Sequence, residues 1–171
     1  MNATDNTNAK SYVLVQIGDR RFAMSAATVS ELAPPVRLHH FPQSSPLVAG
    51  VIVRRGRIVP VYDVSRILAG KNSPAHRFYL VAARDFGSVS EPGAIPVDGE
   101  CELVTAPTQN PDPASPKYIS GTLTIGEENI QVLDLNALIN SANAGSANAG
   151  SANAGSANAE PNGIGSAETR A

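Results

Sequence analysis

Short apolar runs separated by polar turns recur up to about residue 140, and most have the length and two-residue alternation of half-buried strands. Gly-Asp-Arg and Arg-Gly-Arg turns separate the first two pairs of runs, as in hairpins. Many short strands at this spacing predict a mainly β protein, a barrel or sandwich with little helix. The predicted strands are 12–17, 21–24, 51–53, 58–62, 78–83, 93–97, 119–125 and 130–133.

Three short helical segments are predicted from residues that favour helix N-termini. Ser25 can cap a helix over 26–32, which the following Pro-Pro pair would end. Asp63 and Asp134 each precede a short apolar segment, and their carboxylates can accept the free backbone N–H groups of a helical turn. The stretches predicted to be long loops are 33–46 and 105–117.

An internal repeat relates residues 50–68 to residues 121–139 without a gap. Gly50 aligns with Gly121, and Asp63 aligns with Asp134. Upstream, the strand that begins at Tyr12 resembles the one that begins at Tyr79, so each half starts with a Tyr-headed strand and ends with a hairpin and a short helix. A repeat of this length predicts two copies of one supersecondary unit.

The C-terminal end has a different composition from the rest of the chain. SANAG occurs three times over 141–155 and is followed by SANAE. Glycine at every fifth position weakens a helix, and Ile164 is the single large apolar residue of this segment. We therefore expect a flexible, disordered tail over 141–171, a loose N-terminus over 1–10, and one ordered domain over 11–140.

Charge and composition exclude several classes of protein. Lys and Arg total 13 against 15 Asp and Glu, a net charge of −2, which argues against a general nucleic-acid binder. Cys101 is the single cysteine, so neither an intramolecular disulfide nor a cysteine-based metal cage can form, and a reducing compartment is expected. The polar start does not resemble a secretory signal, and no apolar run reaches the ~18–20 residues that span a bilayer. Any membrane association is expected to come through a partner.

Candidate catalytic residues are few and isolated. The adjacent His39 and His40 have no acidic cluster beside them, His76 lies in a polar stretch, and Cys101 has no neighbouring histidine. Phosphate-binding glycine loops and serine-hydrolase elbows are missing from the sequence. We expect no catalytic residue, no cofactor site and no metal site.

The Arg-Arg-Gly-Arg turn is the most conspicuous polar motif. Arg54, Arg55 and Arg57 form either a solvated hairpin tip or a specific binding surface, and spacing alone leaves both readings open. Arg55 is the better candidate for a specific role, because its guanidinium can form a bidentate pair with a carboxylate. Glu31, predicted near the end of the first helix, is a possible partner.

Three segments together resemble the CheW family of chemotaxis coupling proteins. They read FAMSAATVSEL over 22–32, PLVAGVIVRRGRIVPVYDV over 46–64 and YISGTLTIGEENIQVLDLNALI over 118–139. The resemblance covers about 11–140 and implies two SH3-like five-stranded β-barrels packed together. It also implies an adaptor without catalysis that bridges a CheA-type histidine kinase and the cytoplasmic tips of methyl-accepting chemoreceptors.

The resemblance also implies a set of partner-binding residues: Val29, Glu31, Arg55 and Gly56. Glu31 matches the family's helix Glu and Arg55-Gly56 its hairpin Arg-Gly, while Val29 matches an apolar position that lines a receptor-binding groove between the barrels. The chain departs from the family in two places. It has Val53-Arg54 where Asn-Leu is usual, and an irregular insert over 84–93 is expected in place of a tight hairpin.

The expected function is therefore cytoplasmic coupling, with recruitment to the inner face of the membrane through receptors. The alternatives are a CheW-like scaffold in another chemosensory pathway, such as surface motility or second-messenger control, and a small β-barrel that binds nucleic acid through Arg54, Arg55 and Arg57.

Overall fold

The computed structural model describes residues 9–40, 42, 47–71 and 77–150, and within these residues it contains ten strands and two helices. The strands are β1 (Ala9–Ile17), β2 (Arg20–Ser25), β3 (Val29–Ala33), β4 (Val48–Arg54), β5 (Arg57–Tyr62), β6 (Phe78–Phe86), β7 (Val89–Val97), β8 (Glu102–Gln109), β9 (Ile119–Ile125) and β10 (Glu128–Leu133); the helices are α1 (Ser65–Ala69) and α2 (Leu135–Gly150).

The strands form two five-stranded units, which confirms the predicted mainly β architecture. The first is a closed barrel in the order β1-β2-β10-β9-β8, and the second is a sheet in the order β3-β6-β7-β5-β4. We call these the barrel and the second sheet. The second sheet uses a continuous stretch of chain, whereas the barrel combines strands from both ends. The two five-stranded units therefore do not correspond to the N-terminal and C-terminal halves of the chain, because β1 pairs with β8 and β2 pairs with β10.

The pairing register confirms that 50–68 and 121–139 occupy equivalent places. Gly50 pairs with Val61 across β4 and β5, and Gly121 pairs with Val132 across β9 and β10. In both units the second strand of this hairpin also pairs in parallel with another strand, β7 in one and β2 in the other. The equivalence holds at a constant separation of 71 residues, the distance from Gly50 to Gly121.

Both predicted aspartates stabilise the start of a helix. Asp134 Oδ1 accepts the backbone N–H of Ala137 at 2.9 Å, as expected for a residue that precedes the first helical turn. Asp63 Oδ1 accepts the backbone N–H of Ser65 at 3.1 Å, at the first residue of α1. The predicted N-cap position of Asp63 is wrong by one residue, since Val64 is the N-cap of α1 and Asp63 lies just before it. Hydrogen bonds to backbone N–H groups at a helix start therefore account for both aspartates of the repeat.

The predicted helix over 26–32 is wrong. Residues 26–28 form a turn, and β3 follows, antiparallel to β6. A helix of two turns is marginal by itself, whereas β3 gains a ladder of backbone hydrogen bonds and packs the β-branched Val29 against the core. Glu31 consequently lies on a strand and not at a helix end.

Two segments that were predicted to be irregular are wholly or partly regular in the structure. The supposed loop 105–117 begins inside β8, which pairs with β1 along most of its length and reaches β9 at its end. The supposed insert over 84–93 is a tight hairpin, because β6 and β7 pair as far as Phe86 opposite Val89. Gly87, with φ of 61°, supplies the left-handed conformation that this two-residue turn requires.

The C-terminal helix extends beyond its predicted end. A flexible tail from residue 141 is wrong for 141–150, since α2 continues to Gly150. Buried Leu138 and Ile139 anchor the first turns, and Ala142 packs beside them, so the cost of helix nucleation is met by tertiary contacts and alanine can propagate the helix. Residues 151–171 lie outside the described part of the chain.

The apolar core has three parts. One cluster fills the barrel, one lies on the second sheet, and the largest joins the two units. The joining cluster includes Phe22 and Met24 from the barrel, Leu80 and Ile95 from the second sheet, and Leu138 from α2. Because one core is shared, each unit holds the other in place. In the ranges described, no helix is both long and apolar enough to span a bilayer.

Candidate functional site

The Arg-Gly motif forms the tip of the β4–β5 hairpin. Arg55 and Gly56 are the two turn residues, and both have positive φ values, 49° and 75°. Two positive φ values are typical of the type I′ turn, which matches the twist of the flanking strands. Among the non-glycine residues that the structure describes, Arg55 alone has a positive φ. The turn holds the Arg55 side chain outward, 77% exposed.

Glu31 lies on β3 with a side chain only 14% exposed. A β-bulge between Val29 and Glu31 shifts the register of β3 against β6, and Ser30 in this irregularity donates its hydroxyl to the Val81 carbonyl. Glu31 Oε2 lies 3.1 Å from Arg55 Nε. The structure therefore brings together the Glu31 and Arg55 pair that the sequence suggested, on the second sheet.

Arg54 is a second partner of Glu31, and the sequence reasoning missed it. Its Nη2 pairs with Glu31 Oε1, and its side chain is 28% exposed, far less than that of Arg55. Arg54 Nε is buried and makes no hydrogen bond to the described residues. The two-residue period was the available signal, because it places Arg54 on the same face of β4 as the fully buried Ile52.

These ion pairs connect the two edge strands of the second sheet, since β3 and β4 stand at opposite ends of its strand order. A second connection lies further along β4, where His39 and Val51 exchange backbone hydrogen bonds of 2.8 and 2.9 Å. The His40 Nδ1 lies 2.9 Å from the Ala49 carbonyl oxygen. The histidine pair thus fastens the segment after β3 to the edge of β4.

Val29 is half-buried and packs against the cluster that joins the two units. Thr28, beside it, contributes to a cleft of about 390 Å³ between the barrel and the second sheet. Val29 and the cleft are thus neighbours at the junction that the resemblance describes as a groove. The lining residues are Lys10, Tyr12, Ser25, Thr28, Ala83, Asp85, Thr108, Ser120, Val132, Leu133, Asp134, Leu135 and Asn136.

The cysteine has the properties of a packing residue. Cys101 is half-buried beside the joining cluster, and burial raises the pKa of its thiol, which reduces the thiolate fraction at neutral pH. Within the ranges described, no group of three or more His, Cys, Asp or Glu side chains is placed to hold a metal ion. His76 lies outside the described residues.

Comparison with known proteins gives a family and a fold. The CheW-like domain family matches residues 11–143. The crystal structure of the scaffolding protein TtCheW from Thermoanaerobacter tengcongensis is similar, with a TM-score of 0.63 and 18% sequence identity over 75% of this chain and 91% of that chain. No curated protein matches the chain.

Proposed function

Because the chain belongs to the CheW-like domain family, we propose that it couples chemoreceptors to a CheA-type histidine kinase. The family is one of scaffold and adaptor proteins, so the chain is an adaptor and not an enzyme. In the proposed role it works in the cytoplasm, binds the cytoplasmic tips of methyl-accepting chemoreceptors, and is recruited to the inner face of the membrane through them.

The observation that carries this proposal is the ion-pair cluster at Glu31. The resemblance implicates Glu31 and Arg55 in coupling, and in the fold they contact each other although 24 positions separate them in sequence. Arg55 is 77% exposed, and the ion pair of an exposed arginine contributes only ~0–1 kcal/mol to folding, so stability alone is a weak reason for its position. A fixed and exposed guanidinium instead supplies a specific charge for a partner.

The turn conformation supports the same role. A positive φ at Arg55 is unfavourable for a side chain other than glycine or asparagine, by roughly 1 kcal/mol. Backbone strain of this kind is often found at binding sites, where it orients a functional side chain. Gly56 supplies the second left-handed position without strain, so the Arg-Gly order presents the guanidinium at the hairpin tip.

Co-sedimentation with receptor-containing membranes and the CheA-type kinase of the same organism tests this function. Arg55→Glu should reduce the sedimented adaptor at least about fivefold without a change in melting temperature, since like charges would then face a carboxylate-bearing partner. Lys117→Glu, a charge reversal at an exposed residue before β9, is the matched control and should sediment like the wild type.

Wild-type protein that does not sediment with receptors and kinase would contradict the adaptor function. Wild-type binding that Arg55→Glu leaves intact would contradict only the assignment of Arg55.

A further inference from the structure

A polar contact joins the turn between β1 and β2 of the barrel to the second unit, which is the second sheet together with α1. Asp98, which follows β7, accepts the Gly18 backbone N–H through Oδ2 at 2.6 Å. It also donates its own backbone N–H to the Gln16 carbonyl at 2.9 Å. A Cβ at Gly18 would lie 3.0 Å from Ala69 Cβ, so the turn packs directly against the end of α1.

Arg20, the first residue after this turn, reaches the second unit with its side chain. Nη1 donates to the Leu68 carbonyl oxygen in the last turn of α1 at 2.8 Å, and Nη2 donates to Gln131 Oε1 of the barrel at 3.0 Å. The guanidinium carbon lies 4.9 Å from the centroid of the Phe22 ring. Carbonyl groups at a helix C-terminus lack intrahelical partners and carry partial negative charge, which a guanidinium satisfies. We call four residues the clamp: Gly18, Arg20, Leu68 and Asp98.

The internal repeat shows that the fold does not require the clamp. By strand order the β6–β7 hairpin is the equivalent of β1–β2, and Gly87 stands in its turn with a φ of 61°, as Gly18 does with 65°. A Cβ at Gly87 would meet no atom of the described residues within 4 Å. The same turn therefore forms without a helix packed against it, and the clamp needs a reason other than the formation of a hairpin.

The clamp and the cleft lie at opposite ends of the β1–β2 hairpin. Tyr12 pairs with Ser25 at the open end, and both line the cleft, whereas Ile17 pairs with Arg20 beside the turn. The strand between these two pairs, from residue 12 to residue 17, is roughly 17 Å long. The facing wall of the cleft includes residues of β6 from the second unit. The clamp thus fixes one end of a strand pair whose other end forms a wall of the cleft.

At the cleft end, an exposed hydrogen bond connects the two units. The Asp85 backbone N–H donates to Asn136 Oδ1 at 3.1 Å, between β6 and α2. Water competes for a hydrogen bond at the surface, so such a bond holds the walls weakly. The separation of the walls consequently depends on the joining cluster and on the clamp. Packed elements shift as rigid bodies by about 1–2 Å in proteins that switch, so loss of the clamp would change this separation.

We propose that Arg20 is a positioning residue for receptor binding. Its hydrogen bond to the Leu68 carbonyl fixes the barrel on the second unit and thereby sets the width of the cleft. Arg20 itself does not touch the receptor. The inference rests on the proposed function in one respect: it takes the cytoplasmic tip of a chemoreceptor as the occupant of the cleft.

Arg20→Met removes the hydrogen bond to Leu68, and Arg21→Met is its matched control. Arg21 is the neighbouring arginine, and its ion-pair partners Glu102 and Glu128 both belong to the barrel. Titration calorimetry uses the full chain and a purified cytoplasmic fragment of a methyl-accepting chemoreceptor of the same organism. Arg20→Met should raise the Kd at least about fivefold, and Arg21→Met should change it less than about twofold. Arg20→Lys keeps a donor for the Leu68 carbonyl and should recover most of the affinity.

Gly18→Ala disturbs the clamp without removing a charge. Its methyl group would lie 3.0 Å from Ala69 Cβ, closer than the ~3.5–4.0 Å of ordinary carbon contacts, and should push the turn away from α1. Gly126→Ala is the matched control, because Gly126 stands in another barrel turn with a φ of 61° and an added Cβ would meet no described atom within 4 Å. Gly18→Ala should raise the receptor Kd at least about threefold above this control. Each variant and its control should melt within about 3 °C of each other.

Pulsed electron paramagnetic resonance measures the width of the cleft without a receptor. Spin labels are attached at Lys10→Cys in the barrel and at Ser90→Cys in β7, in a Cys101→Ser background. Lys10 lines the cleft, and Ser90 pairs with Asp85 of the opposite wall. The two clamp variants should shift the mean distance between the labels by at least about 2 Å, and the two controls should leave it unchanged.

Four results would overturn the proposal. Label distances that both clamp variants leave unchanged would remove the positioning role. Changed distances with a wild-type receptor Kd would remove the link to receptor binding. A loss of affinity in Arg21→Met as large as that in Arg20→Met would assign Arg20 to stability alone. These three results leave the adaptor function standing, whereas wild-type protein that does not bind the receptor fragment would overturn both this inference and the receptor part of the proposed function.

Discussion

The two arginines that share Glu31 should differ in how much they stabilise the fold. We consider Arg54→Met and Arg55→Met, which remove the charge and keep an apolar stem of similar length. Arg54 is 28% exposed and pairs with a carboxylate that is 14% exposed, so solvent screens this pair little. Arg55 is 77% exposed and its pair is screened.

The structure gives the expected magnitudes. A hydrogen bond to a charged group contributes about 1.5–3 kcal/mol, and Arg54→Met recovers part of this because the buried Arg54 Nε has no described partner. We expect Arg54→Met to lower the free energy of unfolding by about 1–2 kcal/mol. Arg55→Met should lower it by at most about 0.5 kcal/mol. For a domain of this size, 1 kcal/mol corresponds to roughly 3–5 °C in melting temperature.

Urea denaturation of the wild type, each variant and each variant combined with Glu31→Gln gives two double-mutant cycles. The coupling energy between Glu31 and Arg54 should be about 1 kcal/mol or more, and that between Glu31 and Arg55 about 0.5 kcal/mol or less. Lys117→Met controls for the loss of an exposed positive charge. Equal coupling energies, or a larger one for Arg55, would refute the argument from burial.

Three further predictions concern the turn, the repeat and the cysteine, and a fourth concerns the tail. Arg55→Asn should raise the free energy of unfolding by up to about 1 kcal/mol in urea titrations, because asparagine tolerates a positive φ, while receptor and kinase binding falls. Gly121→Ala should lower it by about 2 kcal/mol or more, since a Cβ there would overlap Thr108 Cγ2 and lie 2.9 Å from the backbone carbonyl oxygen of Gln109. Cys101 should react with iodoacetamide more slowly at pH 8 than a free cysteine peptide, because burial raises its pKa. Cutting the chain after Asn140 should lower the melting temperature in a calorimeter by only about one or two degrees, since the SANAG units have no apolar side chain larger than alanine.

Sequence patterns predicted the parts of the fold that depend on local signals. The alternation of apolar residues and the Gly turns predicted eight of the ten described strands to within a few residues. The two Asp residues predicted where both helices start. The two missed strands, β3 and β8, depend on tertiary pairing. β3 carries mixed polar residues that alternate poorly, and its pairing with β6 determines its conformation.

The exchange of strands between the units could not be read from the repeat. An ungapped alignment shows that two hairpins are alike, and says nothing of which other strands complete each sheet. β1 and β2 pair with β8 and β10 respectively, across more than a hundred residues in the second case, and this choice depends on burial in the joining core. Long-range pairing of this kind has no signal in local periodicity.

The candidate site shows the same division between local and long-range information. The Arg-Gly turn is a local motif, and the sequence identified Arg55 from its turn position and guanidinium chemistry. Arg54 was overlooked although it is the more buried partner of Glu31, because a charged residue beside a turn is usually solvated. Arg54 on β4 pairs with Glu31 on β3, and these are the two edge strands of the second sheet, so its burial depends on how the whole sheet is assembled.

The internal repeat separates what the fold needs from what a partner needs. The equivalent hairpins β4–β5 and β9–β10 share buried apolar residues at their inward positions, their glycine pairing and their terminal Asp, so these features belong to the fold. They differ at the outward positions and at the tip, where Arg55-Gly56 stands opposite Gly126-Glu127 in the alignment. The β9–β10 hairpin has a polar exterior, whereas β4–β5 combines an apolar face, a strained arginine and a half-buried ion pair. Both hairpins occupy the same place in their five-stranded units, so folding makes the same demands on each. The features found only in β4–β5 are therefore those that a binding partner explains.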